Sequence, residues 1–181
     1  MPTNSTNRDE EKPPQVCPFR IVVDTREQAP WHFTGIDNGL IVPLRTSRSL
    51  ETGDYSIDGL EHLVTVERKS VGDFMGSITA DRARFEREME RAAKLEYAAV
   101  VVEGGWRDFD QRKYAVAQGT VIAWSMDYGV HFVFGESRRH AEILAFRILQ
   151  RFWKRHEARL KAAEVFGQSQ ILEEALAGDW H

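Results

Sequence analysis

The chain has 181 residues, 42% of them hydrophobic, and a formal charge of −4 from 24 lysines and arginines against 28 aspartates and glutamates. That length and apolar content suit one domain with its own core and exclude wholesale disorder, and the acidic balance argues against coating nucleic acid by bulk basicity. No apolar run reaches the roughly 20 residues of a membrane helix, the start MPTNSTNRDEEK does not read as a signal peptide, and a single cysteine, Cys17, excludes an intrachain disulfide and suits a reducing, intracellular (cytoplasmic) compartment.

Residues 1–18 are polar and dotted with Pro2, Pro13, Pro14 and Pro18, which predicts a flexible N-terminal tail. FRIVVDT (19–25) is β-branched and reads as a buried strand, whereas LIVPLRT (40–46) is demoted to an edge by Pro43. YSIDG (55–59) and HLVTVERK (62–69) alternate polar and apolar positions about a turn near Asp58-Gly59, the pattern of a hairpin. A helical segment starts near Asp73, and residues 81–96 form a helix with Phe85, Met89, Ala92 and Ala93 on one stripe. YAAVVVEGG (97–105) is a buried strand ended by two glycines, followed by a helix near 115–127 and a strand at VHFVF (130–134). Residues 137–160 make the longest helix, apolar over more than half its circumference, and 161–181 read as an acidic C-terminal tail with a short helix. The expected class is α/β, a mixed sheet flanked by helices on both faces, in a domain spanning 19–160.

The chemistry concentrates between Ile21 and Glu86. VDTRE places Asp24, Arg26 and Glu27 at the end of the first strand, Gly53-Asp54 opens the hairpin, and its second strand delivers Glu67, Arg68 and Lys69. Alternation puts Glu67 and Lys69 on one face and points Arg68 away. Carboxylates with one cation beside them suit phosphodiester hydrolysis: hard oxygen ligands hold Mg²⁺ or Mn²⁺, and a lysine can orient the attacking water. Asp54 and Glu67, with the backbone carbonyl of Arg68, are the expected ligands. Asp24 and Glu27 are candidates for a second metal or for positioning the first. Carboxylates at strand ends are also compatible with solvated surface pairs, Arg26 or Arg68 bridging to Asp24 or Asp73. The apolar LVTV ahead of Glu67 brings these charges to the edge of a core, where they are costly unless something pairs them.

These residues carry a further pattern. VDTREQAPWHF, GDYSIDGLEHLVTVERKSVGDF, SITADRARFERE and VVVEGG, in that order, closely resemble the nuclease domain of the XPF family (excision-repair cross-complementation group four). Gly53, Asp54, Glu67, Arg68, Lys69 and Asp73 match that family's GD, ERK, three residues, D signature, and Asp24, Arg26 and Glu27 match its upstream D-x-R-E. The resemblance runs from about Phe19 to Arg155. It implies a restriction-endonuclease-like fold, the PD-(D/E)xK class, and Mg²⁺- or Mn²⁺-dependent cutting of DNA at single-strand/duplex junctions in repair or recombination. It also implies a homodimer formed through the nuclease domain. It places Ser77, Arg82 and Arg84 near the DNA backbone and Glu103 at the periphery of the site. Larger relatives carry helix–hairpin–helix modules after the nuclease; the compact form here looks like stand-alone nucleases of bacteria and phages, so a separate partner protein is a candidate for targeting it.

Trp31 and Phe33, in a loop beside Glu27, are candidate DNA contacts, while Trp124 and Trp153 read as core or interface. The wide apolar surface of 137–160 is expected to pack on its own sheet with the excess at a subunit interface. Two other readings share the sequence: a non-catalytic DNA-binding or dimer-partner module, and a junction-resolving or restriction-type nuclease on the same fold. The presence of Asp54, Glu67, Lys69 and Asp73 together favours an enzyme. The charge also sorts unevenly. Glu164, Glu173, Glu174 and Asp179 lie in 162–181 with no lysine or arginine and account for the whole −4, leaving a body that is neutral overall and basic outside its acidic pocket.

Overall fold

The computed structural model describes the backbone of residues 13–177 and the side chains of residues 13–168. Six strands form one mixed sheet: β1 (Gln15–Asp24), β2 (Ile41–Arg48), β3 (Tyr55–Ile57), β4 (Val64–Lys69), β5 (Tyr97–Glu103) and β6 (His131–Gly135), in spatial order β2-β1-β3-β4-β5-β6. β1 pairs antiparallel with β3, and β3 with β4; the pairs β1–β2, β4–β5 and β5–β6 are parallel. Pro43 indeed sits on an edge strand, where a missing N–H costs no ladder bond.

Four helices cover the sheet: α1 (Val71–Ile78), α2 (Arg82–Ala92), α3 (Gln111–Tyr128) and α4 (Arg138–Ala177). α4 packs one face with Cys17, Phe19, Ile21, Val23, Val64, Val66 and Val101. The other face carries Ala98, Val100 and Val102 against Phe74 of α1, Phe85 and Met89 of α2, and Trp124 of α3. β5 therefore alternates between two apolar layers, and that is why its sequence reads as an unbroken hydrophobic run. The expected α/β class, a mixed sheet flanked by helices on both faces, is the fold observed.

Several boundaries differ from expectation. β1 begins at Gln15, not Phe19, so the segment read as tail already pairs with β2 and buries Cys17; Pro18 falls within the register shift between Val16 and Arg20. α4 continues to Ala177, well past residue 160, so the segment read as a tail is a continuation of the helix, while residues 178–181 and 1–12 lie outside those described. α2 stops at Ala92, and Ala93 is exposed rather than part of the stripe. Ala141, Ala145, Phe146, Leu149 and Phe152 of α4 are buried in the chain's own core, with Ile143, Ile148 and Trp153 partly buried against it. The sheet thus absorbs most of the apolar excess assigned to a subunit interface. No helix among the described residues is long and apolar enough to cross a membrane.

Candidate active site

The hairpin of β3 and β4 sets the site. Tyr55 pairs with Val66, so Asp54 and Glu67 occupy facing positions on adjacent strands. Asp54 donates its N–H to Val66 O at 3.0 Å and accepts from Arg68 N at 2.7 Å on Oδ2. The turn into Asp54 requires Gly53: its φ is +76°, and a Cβ there would lie 1.9 Å from Thr65 Oγ1. That hydroxyl donates to Thr52 O at 2.9 Å, locking the approach to the aspartate.

The pleat then separates three consecutive side chains. Val64 and Val66 face α4, so Glu67 and Lys69 fall on the opposite face, toward α2, and Arg68 returns to the α4 side. Lys69 Nζ donates to Glu67 Oε1 at 2.6 Å and lies 4.9 Å from the centre of the Phe85 ring. Arg68 donates two bonds to Glu27, at 3.0 and 3.1 Å, and one to Glu103 at 3.1 Å. Arg138, at the start of α4, donates to Glu103 at 2.6 Å and to the carbonyls of Ala29 and Pro30. Arg68 thus points away from Glu67 and Lys69 as expected, and it closes a chain of alternating charges that staples the 27–31 loop to the sheet.

Asp24, 3% exposed, accepts from the N–H, Nε and Nη2 of Arg26 and from Leu50 N at 2.6 Å. The guanidinium holds its carboxyl down at about 2 despite burial. Arg68 likewise holds Glu27 below the ordinary glutamate value against the opposing effect of burial. Both carboxylates are filled by internal donors, which suits organising the loops rather than receiving a ligand.

Asp54 and Glu67 behave oppositely. Burial, then repulsion from Glu67, pushes Asp54 up to about 8. Burial also raises Glu67, and Lys69 only partly offsets it. Lys69 is raised in turn: burial works against its ammonium, and the attraction of Glu67 prevails. Two acids facing each other, with one lysine bonded to Glu67 alone, are short of positive charge. They line a hollow of about 170 Å³ with Asp24, Arg26, Glu51, Glu88 and Arg91. The donor set fits a hard divalent cation that takes two carboxylates and leaves its other positions to water or phosphate oxygens, the habit of Mg²⁺. Among the described residues, no three acidic, histidine or cysteine side chains converge to cage an ion unaided.

Other expected residues lie elsewhere. Asp73 is exposed in the first turn of α1, where its N–H donates to Ser70 Oγ at 3.0 Å and its Oδ2 accepts from the same hydroxyl at 2.7 Å; Ser70 caps the helix that follows Lys69, and Asp73 holds the cap. Ser77 is buried and offers no surface to DNA. Arg82 pairs with Glu86 at 3.0 Å, bonds Thr120 and stacks on Trp124, and Arg84 pairs with Asp81. Trp31, 1% exposed, stacks on Tyr55 and donates Nε1 to Glu103 at 2.7 Å; Phe33 is fully buried, so neither is a DNA contact. Trp124 is core, as read. Sequence reasoning missed Glu88 and Arg91, which also line the hollow. The available signal was that both flank the buried stripe of Phe85, Met89 and Ala92.

This architecture has counterparts. Among solved structures the chain is similar to XPF from Aeropyrum pernix, with 24% identity, 74% of this chain and 60% of that chain covered, and a TM-score of 0.57. XPF from Aeropyrum pernix in complex with DNA matches at 23% identity over 76% of this chain and 66% of that chain, with a TM-score of 0.60. The chain therefore spans about 60–66% of the length of these relatives, and the likeness is one of fold. No curated protein matches it in sequence. Residues 23–145, which run from the end of β1 through the facing carboxylates to the first turns of α4, match the ERCC4 domain, and the chain belongs to that family.

Proposed function

We propose that the chain is a Mg²⁺- or Mn²⁺-dependent DNA endonuclease that hydrolyses phosphodiester bonds in branched or single-strand-containing DNA, in repair or recombination. The observation that carries this reading is the facing pair Asp54 and Glu67, short of positive charge, with Lys69 donating to Glu67. Membership of the ERCC4 domain family and the fold shared with nuclease-domain structures support it.

Asp54 and Glu67 would hold the cation, with the Arg68 carbonyl as the third protein donor. When bound, the cation supplies Lewis acidity toward the phosphoryl oxygens and a more acidic water. Lys69, fixed against Glu67, would present an ammonium to orient the attacking water and offset developing negative charge. Arg68 does not meet the substrate: it aligns Asp54 through its backbone N–H and the loop through Glu27 and Glu103. The reading includes a homodimer. With the first half of α4 committed to the sheet, exposed apolar side chains remain on α3, where Val116, Ile122 and Met126 are 51%, 62% and 81% accessible, as well as at the β2 edge and on the later turns of α4.

A cleavage panel tests the reading: single strands, blunt duplex, 3′ flap, splayed arm and four-way junction, each with Mg²⁺, Mn²⁺ or EDTA. Cutting of at least one branched substrate with either cation, abolished by EDTA, is the expected result. Absence of product on every substrate would leave a DNA-binding or dimer-partner module in its place.

A further inference from the structure

We propose that Arg87 and Arg91 of α2, with Lys94 in the turn just past its end, form a phosphate track that guides one DNA strand into the Asp54–Glu67 hollow. The inference rests on the nuclease reading above and deepens it by naming the surface that receives the substrate.

The electrostatics of the hollow pose the problem. Asp24, Glu51, Asp54, Glu67 and Glu88 line it, and Arg26 is bound to Asp24. Lys69 is held by Glu67, and Arg68 by Glu27 and Glu103. A polyanion cannot approach such a lip unless unspent positive charge stands beside it. Arg91 lines the hollow and is exposed, and among the described residues its guanidinium makes no hydrogen bond, ion pair or ring contact. Arg87 and Lys94 are exposed and unpartnered in the same way. By contrast Arg82 and Arg84, the cations that family resemblance singles out, are engaged by Glu86 and Asp81.

Helical geometry aligns Arg87 and Arg91. At about 100° per residue they lie about 40° apart on one ridge of α2 and about 6 Å apart along its axis, and Lys94 follows in the turn after Ala92. A nucleic-acid strand carries one phosphate per roughly 3.4 Å of rise, so three long cationic side chains at this spacing reach successive phosphates. The buried stripe of Phe85, Met89 and Ala92 fixes the rotation of α2, and Arg91 stands at the hollow with Glu88. A solvated face laced with internal pairs would instead have spent these charges on Glu88 and Glu90, which lie within one turn.

The test measures binding of the full chain to a fluorescent splayed-arm DNA in EDTA, so that cleavage does not intervene, over a range of salt concentrations. The variant carries Arg87→Gln, Arg91→Gln and Lys94→Gln. A control with the same charge change carries Arg107→Gln, Arg112→Gln and Lys113→Gln, exposed at and before the start of α3. The expected result is a slope of log affinity against log salt reduced by about 2 to 3 in the ridge variant and by much less in the control. Circular dichroism and thermal melting of both variants should match wild type. An unchanged slope in the ridge variant, an equal reduction in the control, or no measurable binding by wild type would overturn the track. Cleavage by wild type in Mg²⁺ is scored separately. A reduced slope with no cleavage refutes the nuclease reading and leaves the track standing; cleavage with an unchanged slope refutes the track alone.

Discussion

At the residue scale, the site depends on a glycine that does no chemistry. Gly53 occupies a left-handed conformation and leaves no room for a Cβ beside Thr65 Oγ1. Gly53→Ala is therefore expected to cost about 1–3 kcal/mol of stability. It should also cut less well than its loss of stability explains, because it displaces Asp54. Urea denaturation alongside a cleavage assay checks this, and an unchanged midpoint would contradict it. The GD dipeptide was legible as a motif, but its steric reason was not, since Thr65 meets Gly53 only once the hairpin closes. The same holds for Trp31. An aromatic in a proline-containing loop beside Glu27 looked available for stacking, yet Tyr55 and Glu103, 24 and 72 positions away, enclose it.

At the scale of elements, the hairpin carries two acids whose charge works against folding, and β1 ends on one that works for it. Asp54 is raised to about 8, so the folded state holds its proton over a range in which the unfolded chain releases it. Stability from this group is accordingly present at low pH and falls as pH rises from about 4 toward 8. Asp24 is lowered to about 2 and contributes in the other direction: its share is present above the ordinary aspartate value and is lost as pH falls through about 2. A divalent cation that binds the ionised pair removes the first penalty. Mg²⁺ or Mn²⁺ should therefore raise the melting temperature more at pH 8 than at pH 5, and Asp54→Asn should abolish most of that difference. Equal stabilisation at both pH values, or none, would count against Asp54 and Glu67 as ligands. Alternation alone disclosed that Glu67 and Lys69 share a face and that Arg68 leaves it. It could not disclose that Glu27 and Glu103 fill the Arg68 fork, because those contacts join residues 41 and 35 positions apart.

At the scale of the molecule, a sheet covered on both sides leaves the acidic pair on the α2 side of β4 and the supporting charge chain on the α4 side. The order of elements was readable from composition because each strand and helix carries its own period. The extent of α4 was not, since residues 161–168 are exposed and extend the helix by its continuity rather than by burial. The exposed apolar face of α3 belongs to this scale as well. Light scattering at micromolar concentration should give a mass near twice 20.8 kDa, and Ile122→Glu with Met126→Glu should bring it to that of the single chain. A monomeric mass for wild type would refute the dimer and leave the catalytic assignment untouched.

The most direct measurement compares wild type with Asp54→Asn and Lys69→Ala in cleavage of a splayed-arm DNA with Mn²⁺, with binding of the same DNA measured in EDTA. Wild-type cutting, its loss in both variants and DNA affinity within about threefold of wild type is the predicted result, since both side chains serve the reaction rather than the docking surface. Wild-type rates of cleavage by Asp54→Asn would contradict the account.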